Sequence, residues 1–427
     1  MATFTRQYQP SALDDVEEIE NYRPAGLHPI HIGDEVGGRY RVVHKLGYGG
    51  SSTVWLARDK LAKRYVALKI LEASIRQECR DLAVLQALAK ASMSQPGRSS
   101  VVSLLDHFVI EGRNGRHVCL VLPAAGPSIT SLNYSPGIVA GSRRLKSQLT
   151  LTIAKQTIQA LEFVHSQGFC HGDLTASNVL FQLNDCIDGW SQEEIYECLG
   201  QPRKDAIMTI SGSAPGESAL KYIVEPCSFP DLQFLCGDIL LVDFGCAFSS
   251  HKPPSNPDDI GLTMSYAAPE VIFESNVSVY SDIWALGCVL FEIRSGRQLF
   301  GNWIGSKDDV LRQLVQAFGK LPEPWWTAWE TREDYYFDDD GDPRKIWVDG
   351  IVRASKFGLD EMIAEIGYAD EEEDVPENNS AEMLEPNRTN IPAEEASHMN
   401  DLLRRILKWK PEERISVKEI LSHSWLS

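Results

Sequence analysis

The sequence predicts an α+β fold in two lobes, a small β-rich one carrying a single helix and a larger α-rich one behind it. Three observations support this. Short β-branched segments crowd the first 125 residues, a run of small residues follows, and beyond it apolar residues recur at helical spacing. The expected boundaries are an N-terminal extension over 1–37, the small lobe over 38–125 and the large lobe over 126–427, with inserts at 182–238 and 301–395. A chain of 427 residues, 43% of them hydrophobic, can fill cores of that size.

Each element follows in order. Residues 1–37 are polar, contain Pro and Gly, and have no period, so a tail or a segment ordered by contact is expected. RYRVVHKLG (39–47), TVWLARD (53–59) and YVALKI (65–70) are strands separated by polar or glycine-rich turns. Over 76–90 the spacing becomes helical, with Leu82, Leu85 and Leu88 on one face. HVCLVL (117–122) is a further strand, stopped by Pro123, and Ala124, Ala125, Gly126 and Pro127 have the composition of a hinge. Ile153, Thr157, Leu161 and Val164 mark a long helix, and SDIWALGCVLFEI (281–293) is apolar enough all round to be a buried one. Pro, Gly and Ser break up 182–238 before ILLVDF (239–244) resumes a strand.

Composition narrows the function. The net charge of −19 disfavours nucleic acid and leaves basic partners open. Residues 330–374 hold 16 Asp and Glu against 5 Lys and Arg, either a solvated acidic loop or a docking surface for basic protein. Nine cysteines without a C-x-x-C pair indicate neither a zinc site nor a disulfide framework. Asp14, Asp15, Glu17, Glu18 and Glu20, with no apolar run beside them, argue against a secretory leader, and no stretch is apolar enough for a membrane span. A monomeric cytoplasmic or nuclear protein, bound to neither membrane nor nucleic acid, is expected.

Four motifs carry chemistry. Gly47, Gly49 and Ser52 form G-x-G-x-x-S between two strands, where glycines let backbone N–H groups lie against phosphates. A plain hairpin turn would use the same residues, but a dinucleotide loop would be followed by a helix. Lys69, between Leu68 and Ile70 of VALK, suits a cation facing those phosphates, and a carboxylate on the next helix must hold it; Glu78 and Asp81 are the candidates. HGDLTASN (171–178) spaces Asp173 and Asn178 as in a kinase catalytic loop, the Asp taking the substrate hydroxyl proton and the Asn ligating magnesium. DFG (243–245) supplies Asp243 as the second metal ligand, and AAPE (267–270) ends the segment behind it. In this order they imply a protein kinase fold that uses ATP and Mg2+.

The likeness is closer still. GYGGSSTVWLARD, HGDLTASNVLF, GDILLVDFG and LPEPWWTAWE resemble the SR-protein kinases, especially short divergent members of filamentous fungi, from about Tyr22 to Leu426. That resemblance implies a serine/threonine kinase of arginine/serine-rich proteins. Its nucleotide site would be Leu46, Gly47, Tyr48, Gly49, Gly50, Ser51, Ser52, Thr53 and Val54 with Lys69, and adenine would lie between Ala67 and Leu180, bonded near Pro123 and Ala125. It further implies Leu122 as gatekeeper, Asp282 bracing the catalytic loop, a Glu270–Arg414 pair, and Thr263 at the serine/threonine-kinase position. By the same alignment Asp81, rather than Glu78, pairs with Lys69.

Four departures from the general kinase pattern stand out. Ser52 replaces a glycine, as is normal in these relatives. Gly172 replaces an arginine that gathers a phosphorylated activation loop, which implies activity without that modification. Thr175 stands for the catalytic-loop lysine and Asp81 for a glutamate. Losing one such charge-stabilising donor costs about 3 kcal/mol, roughly a hundredfold in rate. These last two motivate the alternative of a pseudokinase scaffold; a small-molecule phosphotransferase is disfavoured by the APE segment.

Overall fold

The computed structural model describes residues 6–73, 79–134, 143–229, 232–254, 261, 263–301, 306–337, 341–343, 347–348, 351–352, 354, 356–368 and 383–427. The chain forms two compact units. The first comprises Met1–Lys90, Val102–Pro127 and Phe181–Cys236, the second Ala91–Val101, Ser128–Leu180 and Gly237–Ser427. The helices of eight or more described residues are α1 (Arg80–Leu88), α2 (Ser147–Ser166), α3 (Gln192–Leu199), α4 (Val279–Ser295), α5 (Lys307–Phe318) and α6 (Ala393–Ile406).

A six-stranded antiparallel sheet organises the first unit: β1 (Glu35–Val36), β2 (Tyr40–Gly49), β3 (Ser52–Asp59), β4 (Arg64–Leu71), β5 (Asp106–Gly112) and β6 (Gly115–Pro123), in the order β1-β2-β3-β4-β6-β5. Its strand alternation decides what each face carries. Val66, Leu68 and Ile70 of β4 enter a core with Val42, Trp55 and Val121. Ala67 and Lys69, between them, project from the opposite face.

The segment 182–238, expected within the large lobe, groups with the first unit as far as Cys236. Its residues bury apolar surface there. Ile195 and Leu199, four apart on α3, pack with Val43, Leu56 and Tyr65 of the sheet. A hairpin pairing Lys204–Ala206 with Tyr222–Val224 brings Ile223 into a cluster with Ile207, Ile19, Tyr22 and Leu27. The N-terminal residues, read as a tail or a contact-ordered segment, are thus held by contact. Two boundaries also shift: Ala91–Val101 lies in the second unit, and Gly126 and Pro127 in the first.

Helices dominate the second unit. Ile153, Thr157, Leu161 and Val164 are all buried on α2, as their spacing predicts. Helix α4 is buried from Asp282 to Ser295. A Cβ at its Gly287 would meet Ile406 and Leu407 side chains at 2.8 and 2.9 Å, so glycine there permits the close approach of α6. Of the irregular 301–395 region, α5 and the short helices Trp325–Ala328 and Leu359–Ala364 are described. Asp338, Asp339 and Asp340, central to the acidic surplus, lie outside the described residues. Among the described residues no helix is long and apolar enough to cross a membrane.

Candidate active site

In the first unit, β2 and β3 close on each other through the pairs Tyr48↔Thr53 and Gly49↔Ser52, leaving Gly50 and Ser51 as a two-residue turn. The glycines here are not demanded by the fold. A Cβ on Gly47 or Gly50 would meet nothing within 4 Å, and one on Gly49 only Ser52 Oγ at 3.8 Å. The hairpin therefore keeps open backbone where a ligand can approach closely. Across the ladder Val54 faces Lys69, and Ala67 faces Leu122, so these four side chains share one face of the sheet. Strand β6 ends at Pro123, which is half-buried, and Ala125 is buried. Leu180 is half-buried at the end of a stretch of the second unit.

Lys69 Nζ donates to Asp81 Oδ2 at 2.7 Å, with both side chains buried. Helix α1 presents Asp81 because its buried face is Asp81, Val84, Leu85 and Leu88, the i, i+3, i+4, i+7 pattern. Leu82, expected on that face, is only half-buried, and Val84 takes its place. The rival Glu78 lies outside the described residues.

The second unit holds the other expected residues. Asp282, in the first turn of α4, accepts from the backbone amides of His171 (2.7 Å) and Gly172 (3.0 Å) and from His165 Nε2 (2.8 Å). Burial alone would raise the Asp282 carboxyl, but those bonds and the two nearby imidazoles hold it below the usual carboxylate range. The loop from His171 is thus fixed to a buried helix. His171 extends the bracing: its Nδ1 accepts from the Asp173 amide (3.3 Å), so Nε2 carries the proton and donates to the Val242 carbonyl (3.0 Å). Its ring also lies 5.1 Å from that of buried Phe244. Neither histidine drew attention in the sequence, although His171 stands two residues before Asp173.

Asp173 Oδ1 accepts from the Thr263 hydroxyl at 2.9 Å and its amide at 3.3 Å. Asn178 Nδ2 donates to the Asp173 carbonyl at 2.8 Å, which leaves Oδ1 as the atom suited to ligate a metal. Burial raises the Asp173 carboxyl above its ordinary value; Thr263 and His171 oppose this, and the like charge of Asp243 adds to it. Asp243 itself is held at φ 65°, in the left-handed region that a non-glycine residue adopts only at a cost, and its Oδ1 accepts from Gly245 N at 3.1 Å. Thr175 is buried, and its carbonyl accepts from Asn178 N at 3.0 Å. A pocket beside Asp173 is lined by Thr263, Tyr266, Ala267, Val271 and Ala285 among others. In the same unit Arg414 makes a two-pronged bond to Glu270, at 2.6 and 2.7 Å, both side chains buried.

Among the described residues no group of three His, Cys, Asp or Glu is arranged to hold a metal alone. Asp243 and Asn178 instead offer one carboxylate and one amide oxygen. Such a set fits magnesium, which takes hard oxygen donors and completes its shell with phosphates and water.

Residues 40–187 and 234–426 match the family model for the protein kinase domain, and the unmatched stretch falls in the segment packed on the first unit. The chain is 27% identical to serine/threonine-protein kinase SRPK of Physarum polycephalum, over 96% of this chain and 91% of the relative. It is 29% identical to a serine/threonine protein kinase of Aspergillus fumigatus, over 97% and 92%. Human SRSF protein kinase 3 is 34% identical over 40% of this chain and 30% of its own length. The chain belongs to the protein kinase family, as an ATP-dependent serine/threonine kinase of the SR-protein kinase group.

Proposed function

We propose that this kinase phosphorylates arginine- and serine-rich proteins with ATP and magnesium, with Asp173 as base, Lys69 on the phosphates, Asp81 holding Lys69, and Asn178 and Asp243 on the metal. The observation that carries the substrate class is charge: the surplus of 11 acidic residues over 330–374 attracts arginine-rich chains. The name of the human relative, SRSF protein kinase 3, points the same way.

The roles follow from the surroundings. A carboxyl whose proton affinity is raised by burial takes a hydroxyl proton more readily than an exposed one. The Thr263 hydroxyl favours its ionised form and orients Oδ1. Lys69, directed by Asp81, meets phosphate oxygens above the open glycine hairpin. Magnesium, when bound, neutralises charge that develops on those oxygens. Thr175 cannot contribute a positive charge, so turnover is expected to be slow.

The test is transfer of labelled γ-phosphate to an arginine-serine peptide and to a neutral peptide with the same acceptor serines. Magnesium-dependent transfer is expected, with KM for the basic peptide rising steeply as salt shortens the screening length to about 8 Å. Asp173→Ala should lose at least a hundredfold in rate and still bind ATP. Equal KM for both peptides would sink the substrate class. A rate within about threefold of the parent for Asp173→Ala would sink the base.

A further inference from the structure

We infer that Asp15, ahead of the first sheet strand, is a positioning residue for the nucleotide loop: it holds Tyr48 at the hairpin tip and so prearranges that loop for ATP. The inference rests on the reading of the β2–β3 hairpin as the nucleotide site.

A loop containing Gly47, Gly49 and Gly50 loses much backbone freedom when it closes on a ligand. Any contact that already restricts it lessens that loss and tightens binding. Tyr48 stands between two of these glycines, and its hydroxyl donates to Asp15 Oδ1 at 2.8 Å. Both residues are exposed, and such a bond alone would hold little in water.

The anchorage lies two residues further along the same segment. Glu17 pairs with Lys45 and accepts from the Tyr22 hydroxyl, while Lys45 Nζ also donates to the Val224 carbonyl at 2.9 Å. Lys45 is 0% exposed, Tyr22 2% and Glu17 4%. Lys45 is on the strand that leads into the loop, and its ammonium lies 5.2 Å from the centre of the Tyr48 ring. Upstream, Ser11 Oγ and the Ala12 amide bond Asp205 Oδ2 at 2.8 and 2.7 Å. Downstream, Ala25 N donates to the Asn114 carbonyl (2.7 Å), and Asn114 Nδ2 to the Leu27 carbonyl (2.6 Å). Asp15 is therefore carried by a segment fastened on both sides, and it adds a fixed side-chain acceptor at the tip of a hairpin otherwise held by its own ladder and by the Glu72 amide on the Ser51 carbonyl.

The experiment compares Asp15→Ala, Tyr48→Phe, their double variant and Asp15→Asn in the whole chain. ATP is varied at saturating peptide, and a fluorescent ADP analogue is titrated separately. Asp15→Ala and Tyr48→Phe should each raise the ATP KM and the analogue Kd about three- to tenfold, with kcat within about twofold. The double variant should be no worse than the worse single one, because both remove one bond. Asp15→Asn keeps an acceptor oxygen and should stay close to the parent. Unchanged KM and Kd in both single variants, or additive effects, overturn the inference. Lys69→Ala runs alongside: if it keeps parental turnover, the site reading itself has failed, whereas a crippled Lys69→Ala beside inert Asp15 and Tyr48 variants sinks only the inference.

Discussion

Lys45 and Lys69 lie on strands either side of β3, and each is buried and paired with a carboxylate. Lys45 is opposite Trp55 and Lys69 opposite Val54, successive residues of β3 that point to opposite faces. Lys45 thus shares the face that the N-terminal segment and Val224 cover, and the chain encloses it completely. Lys69 shares its face with Ala67 and Leu122 and takes its carboxylate from α1. Burial and pairing alone do not mark a lysine as catalytic. The face it occupies, and what the chain leaves beside it, make the difference.

The comparison breaks most visibly in stability. Lys45→Met strands the buried Glu17 carboxylate, and unpairing a buried ion pair costs about 3–5 kcal/mol. In urea unfolding that loss should be mostly recovered by adding Glu17→Leu. A single variant as stable as the parent would mean the pair contributes nothing. At a temperature where Lys45→Met stays folded, its kcat at saturating ATP should remain within about threefold of the parent.

Lys69 should behave in the opposite sense. Lys69→Ala is expected to lower kcat/KM at least a hundredfold, about 2.7 kcal/mol of transition-state stabilisation. Its partner ranks next: Asp81→Ala should cost at least tenfold, about 1.4 kcal/mol, and Glu78→Ala less than about threefold. Steady-state kinetics on the three variants decide this, and a larger loss from Glu78→Ala would overturn the pairing.

The smallest effect is one of pH. As the proposed base, Asp173 must be ionised to accept a proton, so activity should fall as pH drops through its pKa. Because burial and Asp243 raise that pKa in the free protein, the acid limb of kcat/KM should lie above the ordinary aspartate range. The Thr263 hydroxyl works against the rise, so Thr263→Val should move the limb further up. A downward shift would reverse the sign assigned to that hydrogen bond.

How much could be read from sequence follows the same division. The strands around Lys69 and the helices α2 and α4 were legible because burial imprints a period on consecutive residues. The Asp173 and Asn178 loop was legible because its chemistry fixes a short spacing. Lys45 was not, since its partners Glu17 and Val224 are distant in sequence and Glu17 sits in an acidic run that looks solvated. The placement of 182–236 was hidden for a similar reason. It rests on scattered residues such as Ile195, Leu199 and Ile223, each meeting a remote segment, and no local pattern records such meetings. Leu82 was misjudged by a fraction of a turn, because three leucines at 82, 85 and 88 outweighed Val84 in a short helix.

The division of the chain also governs how it can fold during synthesis. Lys45 bonds a carbonyl 179 positions later, and Asn114 bonds Ser218, so the first unit stays incomplete until its last segment, Phe181–Cys236, has been made. By then Ser128–Leu180, which belongs to the other unit, has already emerged. Vectorial folding of one finished unit before the next begins is therefore closed to this protein. At about 5–20 residues per second, the β2–β6 strands wait roughly 5–25 seconds after Pro123 for the segment that covers them. Through that interval an apolar sheet face is a client for chaperones, and the growing chain, rather than the finished enzyme, is where aggregation is to be guarded against.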